Sequence, residues 1–460
     1  MTSGPEPIAR KPLARVPLAR SLGLTSAVAL IVAEVVGVGI FLTPAAMAKA
    51  LGSPFWVLVV WLVIGLMAVC GALCYGELAA RYPEAGGGYA YLREAYGRGT
   101  AFLYGWKSLI VMDPGLTAAL AMGLASYASI ATGFGAASEK VVAMGAIVVL
   151  AAINVRGVRL GAGVLRTITA LKLALLALII GWGFAARLGD WQHFVPFVAQ
   201  RPGSASLAGA LAGGMVAAFF SFGGWWDAAK LAGEMRDPAR TLPRALVLGV
   251  AIVTVMYVLT SGAFVYLVPI GSATSGEAFA AQAGSVLFGA AGARVLSWVV
   301  VVSVLSSLLG LMMAAPRVYF AMARDGLFPA AVAAVHPRFG TPARAIALQA
   351  VLACVLVLIG SFAQIVAYFI FVTVAFIGLT VAALFVFRRR DDPTIPATAF
   401  RTPAFPFTPL IFLLLVVLLL AMLAAQRPVE AGLGVLAMAL GWPVYQLAFA
   451  RDLPEEAAPA

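Results

Sequence analysis

Long apolar runs separated by short polar stretches set the pattern of this chain. They fall at about 22–48, 55–75, 100–132, 140–155, 163–186, 207–231, 244–269, 292–322, 343–360, 363–387, 405–425 and 430–449. Runs of this length, without polar–apolar alternation, predict membrane-spanning helices. The count predicted is twelve. A transmembrane β-barrel is excluded, because its strands are about ten residues long and alternate. In lipid only a helix bundle then satisfies the backbone.

Two of these runs carry defects. The first contains "AEVVGVGIF" (33–41), with Glu34, Gly37 and Gly39 inside it and Pro44 just beyond. Each glycine costs a helix interior about 1 kcal/mol relative to Ala, so an unwinding point is predicted there. The sixth run, "AAFFSFGGWWDAAKLAGEMRDP", repeats the defect at Gly223 and Gly224. Single glycines also permit close helix packing. Paired defects five helices apart point instead to a transporter site built from broken helices. Unwound backbone offers amides to a carboxylate and carbonyls to an ammonium, which suits a zwitterion.

Composition agrees: 63% of residues are hydrophobic and 11% charged, which no water-soluble globule of 460 residues accommodates. The net charge of +12 follows topology rather than nucleic acid binding. With the amino terminus inside, the cytoplasmic segments hold 23 basic residues and the outer loops six. Both termini are therefore predicted cytoplasmic, in a multi-pass protein of the inner (plasma) membrane. The basic start, residues 1–21, does not read as a cleavable signal peptide. Cys70, Cys74 and Cys354 lie in apolar runs and read as buried thiols, with no disulfide or metal site.

Several motifs recur in order: "GVGIFLTPAAMAKALGSP" (37–54), "FFSFGGW" (219–225), "GEMRDPARTLPRAL" (233–246) and "PRVYFAMARDGLFP…HPRFGTPARA" (316–345). By them the chain resembles the amino acid–polyamine–organocation superfamily, specifically its L-type amino acid transporters. The resemblance implies an all-α fold of twelve transmembrane helices in a five-plus-five inverted repeat, with discontinuous first and sixth helices and two added carboxy-terminal helices. The boundaries expected are a tail at 1–21, a first repeat at 22–187, an outer loop at 188–206, a second repeat at 207–390, the last two helices at 391–450 and a tail at 451–460.

The resemblance also implies site roles. The substrate carboxylate would meet the N–H groups of Gly37, Val38 and Gly39, and its ammonium the carbonyls of Phe220, Ser221 and Gly223. The Phe220 ring would be a gate. Many relatives have Ser where this chain has Val38, so no side-chain hydroxyl is available there. Relatives that accept cationic amino acids often have Asp where this chain has Gly223, which implies neutral substrates. Lys172 would stand where sodium-coupled members of the wider fold bind a cation, bridging the first helix to the eighth near Ser303, Ser306 and Ser307. Sodium dependence is then not expected.

Glu34 departs from relatives, which have a small or neutral residue there. Two readings stand: a coupling role, with proton symport, or a structural ion pair with Lys172. Lys107, Asp227 and Lys230 read as structural, the last two pairing across one turn. Asp113 is read as bonding neighbouring backbone or contacting substrate. The loop "EAGGGYAYLREAYG" (84–97) lacks the strand and the GK[ST] ending of a phosphate loop and reads as a cytoplasmic gate segment. Animal L-type relatives attach a glycoprotein through a Cys in the outer loop after the third helix. Here that loop, "ATGFGAASEK", has none, so the chain alone is expected to suffice, as a monomer and without cofactor. A channel is disfavoured by the lack of a filter motif, and a pump by the lack of a nucleotide domain. An intramembrane enzyme is disfavoured because His193 and His336 fall in loops.

Overall fold

Apolar runs without water close their backbone hydrogen bonds internally. In the computed structural model the chain accordingly folds as helices. The structure describes residues 18, 20–37, 39–135, 138–204, 206–272, 276–359, 362–390, 400–426 and 428–450. Among them the isolated bridge between Leu22 and Met235 is the one extended pairing.

The helices are α1 (Leu24–Val35), α2 (Gly39–Leu51), α3 (Pro54–Arg81), α4 (Gly88–Tyr96), α5 (Arg98–Lys107), α6 (Asp113–Thr132), α7 (Glu139–Val155) and α8 (Val158–Ala185). They continue with α9 (Leu207–Ser221), α10 (Pro238–Leu267), α11 (Gly276–Phe288), α12 (Gly292–Ala314), α13 (Pro316–Arg324), α14 (Ala343–Ile359), α15 (Phe362–Arg389), α16 (Phe407–Gln426) and α17 (Pro428–Ala448). Among the described residues, nine helical stretches are long and apolar enough to cross a membrane. Leu62, Leu66, Val148, Leu178, Leu414 and Leu440 are exposed on their outer faces, as a lipid-facing surface requires.

Three local features differ from the sequence reading. The first run breaks at Val36–Gly37, whereas Pro44 lies inside α2 and takes no part in the break. The 84–97 segment is not all loop, since α4 occupies most of it. Between the seventh and eighth predicted spans lies α11, a helix the apolar pattern did not predict.

The interior is built around α1, which packs against α8, α10 and α12. The pairs α3 with α10, α6 with α12 and α2 with α9 surround it. Lys107, Asp113, Lys172, Asp227, Lys230, Glu234 and Arg317 are all buried within the bundle. Charges face inward because lipid offers them no partner.

Candidate functional site

Both broken helices open onto one cavity of about 80 Å³, several times the ~10–15 Å³ that holds a single water. Gly37, Gly39, Phe220, Ser221, Gly223, Glu34 and Ser307 lie on its wall, so the structure brings together most of the residues singled out in sequence. Val38 lies outside the described residues. Met112, Leu116, Leu120, Leu311 and Ile370 supply the apolar part of the lining.

The two breaks touch. A Cβ on Gly39 would stand 2.6 Å from Ser221 Oγ and 2.9 Å from Ser221 Cα, so only glycine lets α2 begin against the end of α9. After Ser221 the sixth run turns through Gly224, at φ +109°, and resumes as a 3₁₀ segment over Trp225–Glu234. Ten residues is long for 3₁₀ geometry, which marks local strain or a hinge. Thr43 and Ser221 join their hydroxyls at 2.6 Å across the crossing.

Several backbone groups assigned to substrate already have partners. The Gly37 N–H donates to Val35 O at 2.8 Å, and the Gly223 N–H to Phe220 O at 3.1 Å. The Tyr257 hydroxyl lies 2.7 Å from Val35 O and 2.8 Å from Ser221 O, donating to either in turn. Tyr257 ties the two breaks together, and nothing in its sequence context, "VMYVLT", signalled that. Gly39 stands differently, as the first residue of α2, where helix N–H groups lack intrahelical acceptors.

Where α1 ends, its last carbonyls lose their helical donors. Lys172 Nζ, fully buried, takes two of them, Ala33 O at 2.9 Å and Val36 O at 2.6 Å. The Ser307 hydroxyl donates to Ala33 O at 2.5 Å and lies 3.4 Å from Val36 O. An ammonium at a helix C-terminus is also favoured by the helix dipole. Helices α8 and α12 thereby hold the end of α1. Ser303 and Ser306 take no part, since their hydroxyls bond Val299 O and Ser303 O within α12.

The expected Glu34–Lys172 ion pair is not formed. Lys172 spends its donors on the carbonyls, and both Glu34 carboxyl oxygens are buried without a hydrogen-bond donor. The reason is direction: the Glu34 side chain runs between Gly224 and Gly310. Cβ atoms placed on these would come within 3.0 Å of Glu34 Cβ and 2.9 Å of Glu34 Cγ.

Beside the breaks Asp227, Lys230 and Asp113 form a polar cluster. Lys230 Nζ is 2.9 Å from Asp227 Oδ1, the expected one-turn pair, and 3.4 Å from Asp113 Oδ1. Tyr319 donates to Asp113 Oδ2 at 3.0 Å, so Asp113 bonds side chains rather than neighbouring backbone. A π-helical turn over Ser108–Met112 separates α5 from α6 and sets Met112 on the cavity wall. Such turns concentrate at functional sites. Further along, Arg317 grips Glu234 with Nε–Oε1 at 2.6 Å and Nη2–Oε2 at 3.2 Å, both residues fully buried. Asp325 receives Tyr89 and Arg93 from α4.

Comparison with known proteins gives the same direction. A family model described as "Amino acid permease" matches residues 22–441. The serine/threonine exchanger SteT of Bacillus subtilis is 32% identical over 93% of this chain and 96% of its own length. The human large neutral amino acids transporter small subunit 2 is 31% identical, covering 93% of this chain and 80% of that protein. The mouse b(0,+)-type amino acid transporter 1 is also 31% identical, over 81% and 77% respectively.

Proposed function

Because the chain belongs to the amino acid permease family, we propose that this multi-pass membrane transporter moves neutral L-amino acids without sodium, by exchange or facilitated transport. The observation that carries this reading is the Lys172 ammonium on Ala33 O and Val36 O. A tethered cation there leaves a soluble one nothing to supply. The relatives' names, an exchanger of serine and threonine and a transporter of large neutral amino acids, support the substrate class.

In this reading the zwitterion lies in the cavity between the breaks. Its carboxylate meets Gly39 and the start of α2, where the dipole favours an anion. The Gly37 N–H, already bonded to Val35 O, is a lesser donor. The ammonium meets the carbonyl side of the Phe220–Gly223 turn, whose oxygens keep a second lone pair beside their present partners. The Phe220 ring, on the cavity wall, covers the substrate. Twelve spans, inverted repeats at 22–187 and 207–390, cytoplasmic termini and a plasma-membrane location complete the proposal.

The test uses purified protein in liposomes, labelled neutral amino acids, and vesicles with or without internal substrate. Uptake should persist unchanged when choline replaces sodium at fixed membrane potential. A severalfold loss in choline would reject the reading.

A further inference from the structure

Glu34 and Asp227 stand on the two broken helices, and both line the central cavity. Their carboxyl groups lie near enough to interact, though they do not meet in hydrogen-bond geometry. All four oxygens are buried, and none has a donor in hydrogen-bond geometry. Lys230 Nζ touches one side of the pair as an ion pair with Asp227, while Glu34 is packed between Gly224 and Gly310. Two neighbouring carboxylates away from water disfavour joint ionisation, and one proton on the pair removes the conflict.

The surroundings bear on that proton. Lys230 shares the segment of Asp227, and Asp113 faces the pair from α6. Lys107 and Tyr104 lie next to that cluster on α5, with Tyr319 bonded to Asp113 from α13. Lys172 lies near Glu34, on α8, with its ammonium committed to carbonyls. Tyr75 of α3 lies near the Asp227–Lys230 pair, and Thr373 of α15 lines the same cavity. None of these places a donor on Glu34.

We propose that Glu34 and Asp227 form the site of a transported proton, held as one acid and one carboxylate sharing it. The idea rests on the amino acid transporter reading and adds a coupling ion to it. The shared proton ties α1 to the Trp225–Glu234 segment. Its loss to water leaves two facing carboxylates, and their repulsion drives these elements apart while Lys230 retains Asp227. Proton uptake on one side and release on the other then accompany the opening and closing of the cavity. Net substrate entry should rise when the outer solution is made more acidic than the lumen.

The experiment uses the full chain in liposomes carrying a trapped pH dye, with labelled L-alanine, L-serine and L-leucine as probes. An inward substrate gradient should acidify the lumen of wild-type vesicles. E34Q and D227N should each lose that signal, and E34Q should also lose the acid stimulation of entry. Wild-type vesicles that accumulate label while the dye stays silent would overturn the proton site and leave the transporter reading standing. If no label enters at any pH, the transporter reading fails and the proton site falls with it. If E34Q instead abolishes only competition by L-lysine, the pair is a subsite for cationic side chains and the proposal is wrong.

Discussion

Lys172 is the residue on which the end of α1 depends, because it and Ser307 share the carbonyls of Ala33 and Val36. Lys172→Ala leaves Ser307 to serve both oxygens, and an unsatisfied buried acceptor costs about 1–3 kcal/mol. The loss should fall on the step that reorients α1. Transport is expected to slow more than substrate affinity weakens, which vesicle transport rates and calorimetry measure side by side. A wild-type rate would remove Lys172 from the mechanism. Because Glu34 hydrogen-bonds nothing on Lys172, Glu34→Gln should not rescue Lys172→Ala; rescue would show the pair forming in some other state of the cycle. Tyr257→Phe gives a related test. It takes away the hydroxyl that reaches Val35 O and Ser221 O, so the detergent-solubilised protein should melt at lower temperature while its oligomeric state is unchanged.

At the scale of elements, the 3₁₀ segment Trp225–Glu234 is held at both ends by different means. Its start is tied to the break through Gly224, and its end by Arg317 on α13 and by the backbone pairing of Ser21 and Leu22 with Glu234 O. Removing one partner of a buried ion pair costs about 3–5 kcal/mol, because the other charge is stranded. Glu234→Gln and Arg317→Met should therefore each lower thermal stability markedly. The double variant should recover part of the loss. Additive losses on melting would show that the two residues act separately. Helix α4 in turn holds the chain beside α13, its Arg93 and Tyr89 meeting Asp325. That arrangement ties the 84–97 segment to the chain just after α13.

For the whole molecule, the question is whether the chain works alone. Four of its relatives are described as small subunits by name, yet the 131–140 loop of this chain holds no cysteine through which a second subunit could be attached. Purified protein, reconstituted by itself, should transport. Activity that emerges only after a membrane-extract fraction is added back would count against self-sufficiency. The apolar outer faces of α3, α8 and α16 are the surfaces that a bilayer covers in this assay.

The apolar runs determined by themselves that this is a helical membrane protein, since hydropathy over twenty residues is a local property that no packing partner can reverse. The glycine pairs likewise announced the two breaks, because glycine weakens a helix wherever it stands. Side-chain partnership was another matter. Glu34 and Lys172 lie at similar depth, which made an ion pair reasonable in sequence, but depth does not give direction. The packing of Gly224 and Gly310 against Glu34 turned it toward Asp227, and the orphaned carbonyls of α1 drew Lys172 away. Tyr257 and Tyr319 were invisible for the same reason: their hydroxyls act across helices far apart in the chain. Composition and periodicity act along the chain, so they set elements and interruptions. Which buried donor meets which acceptor depends on helix rotation and crossing, and tertiary packing alone decides that.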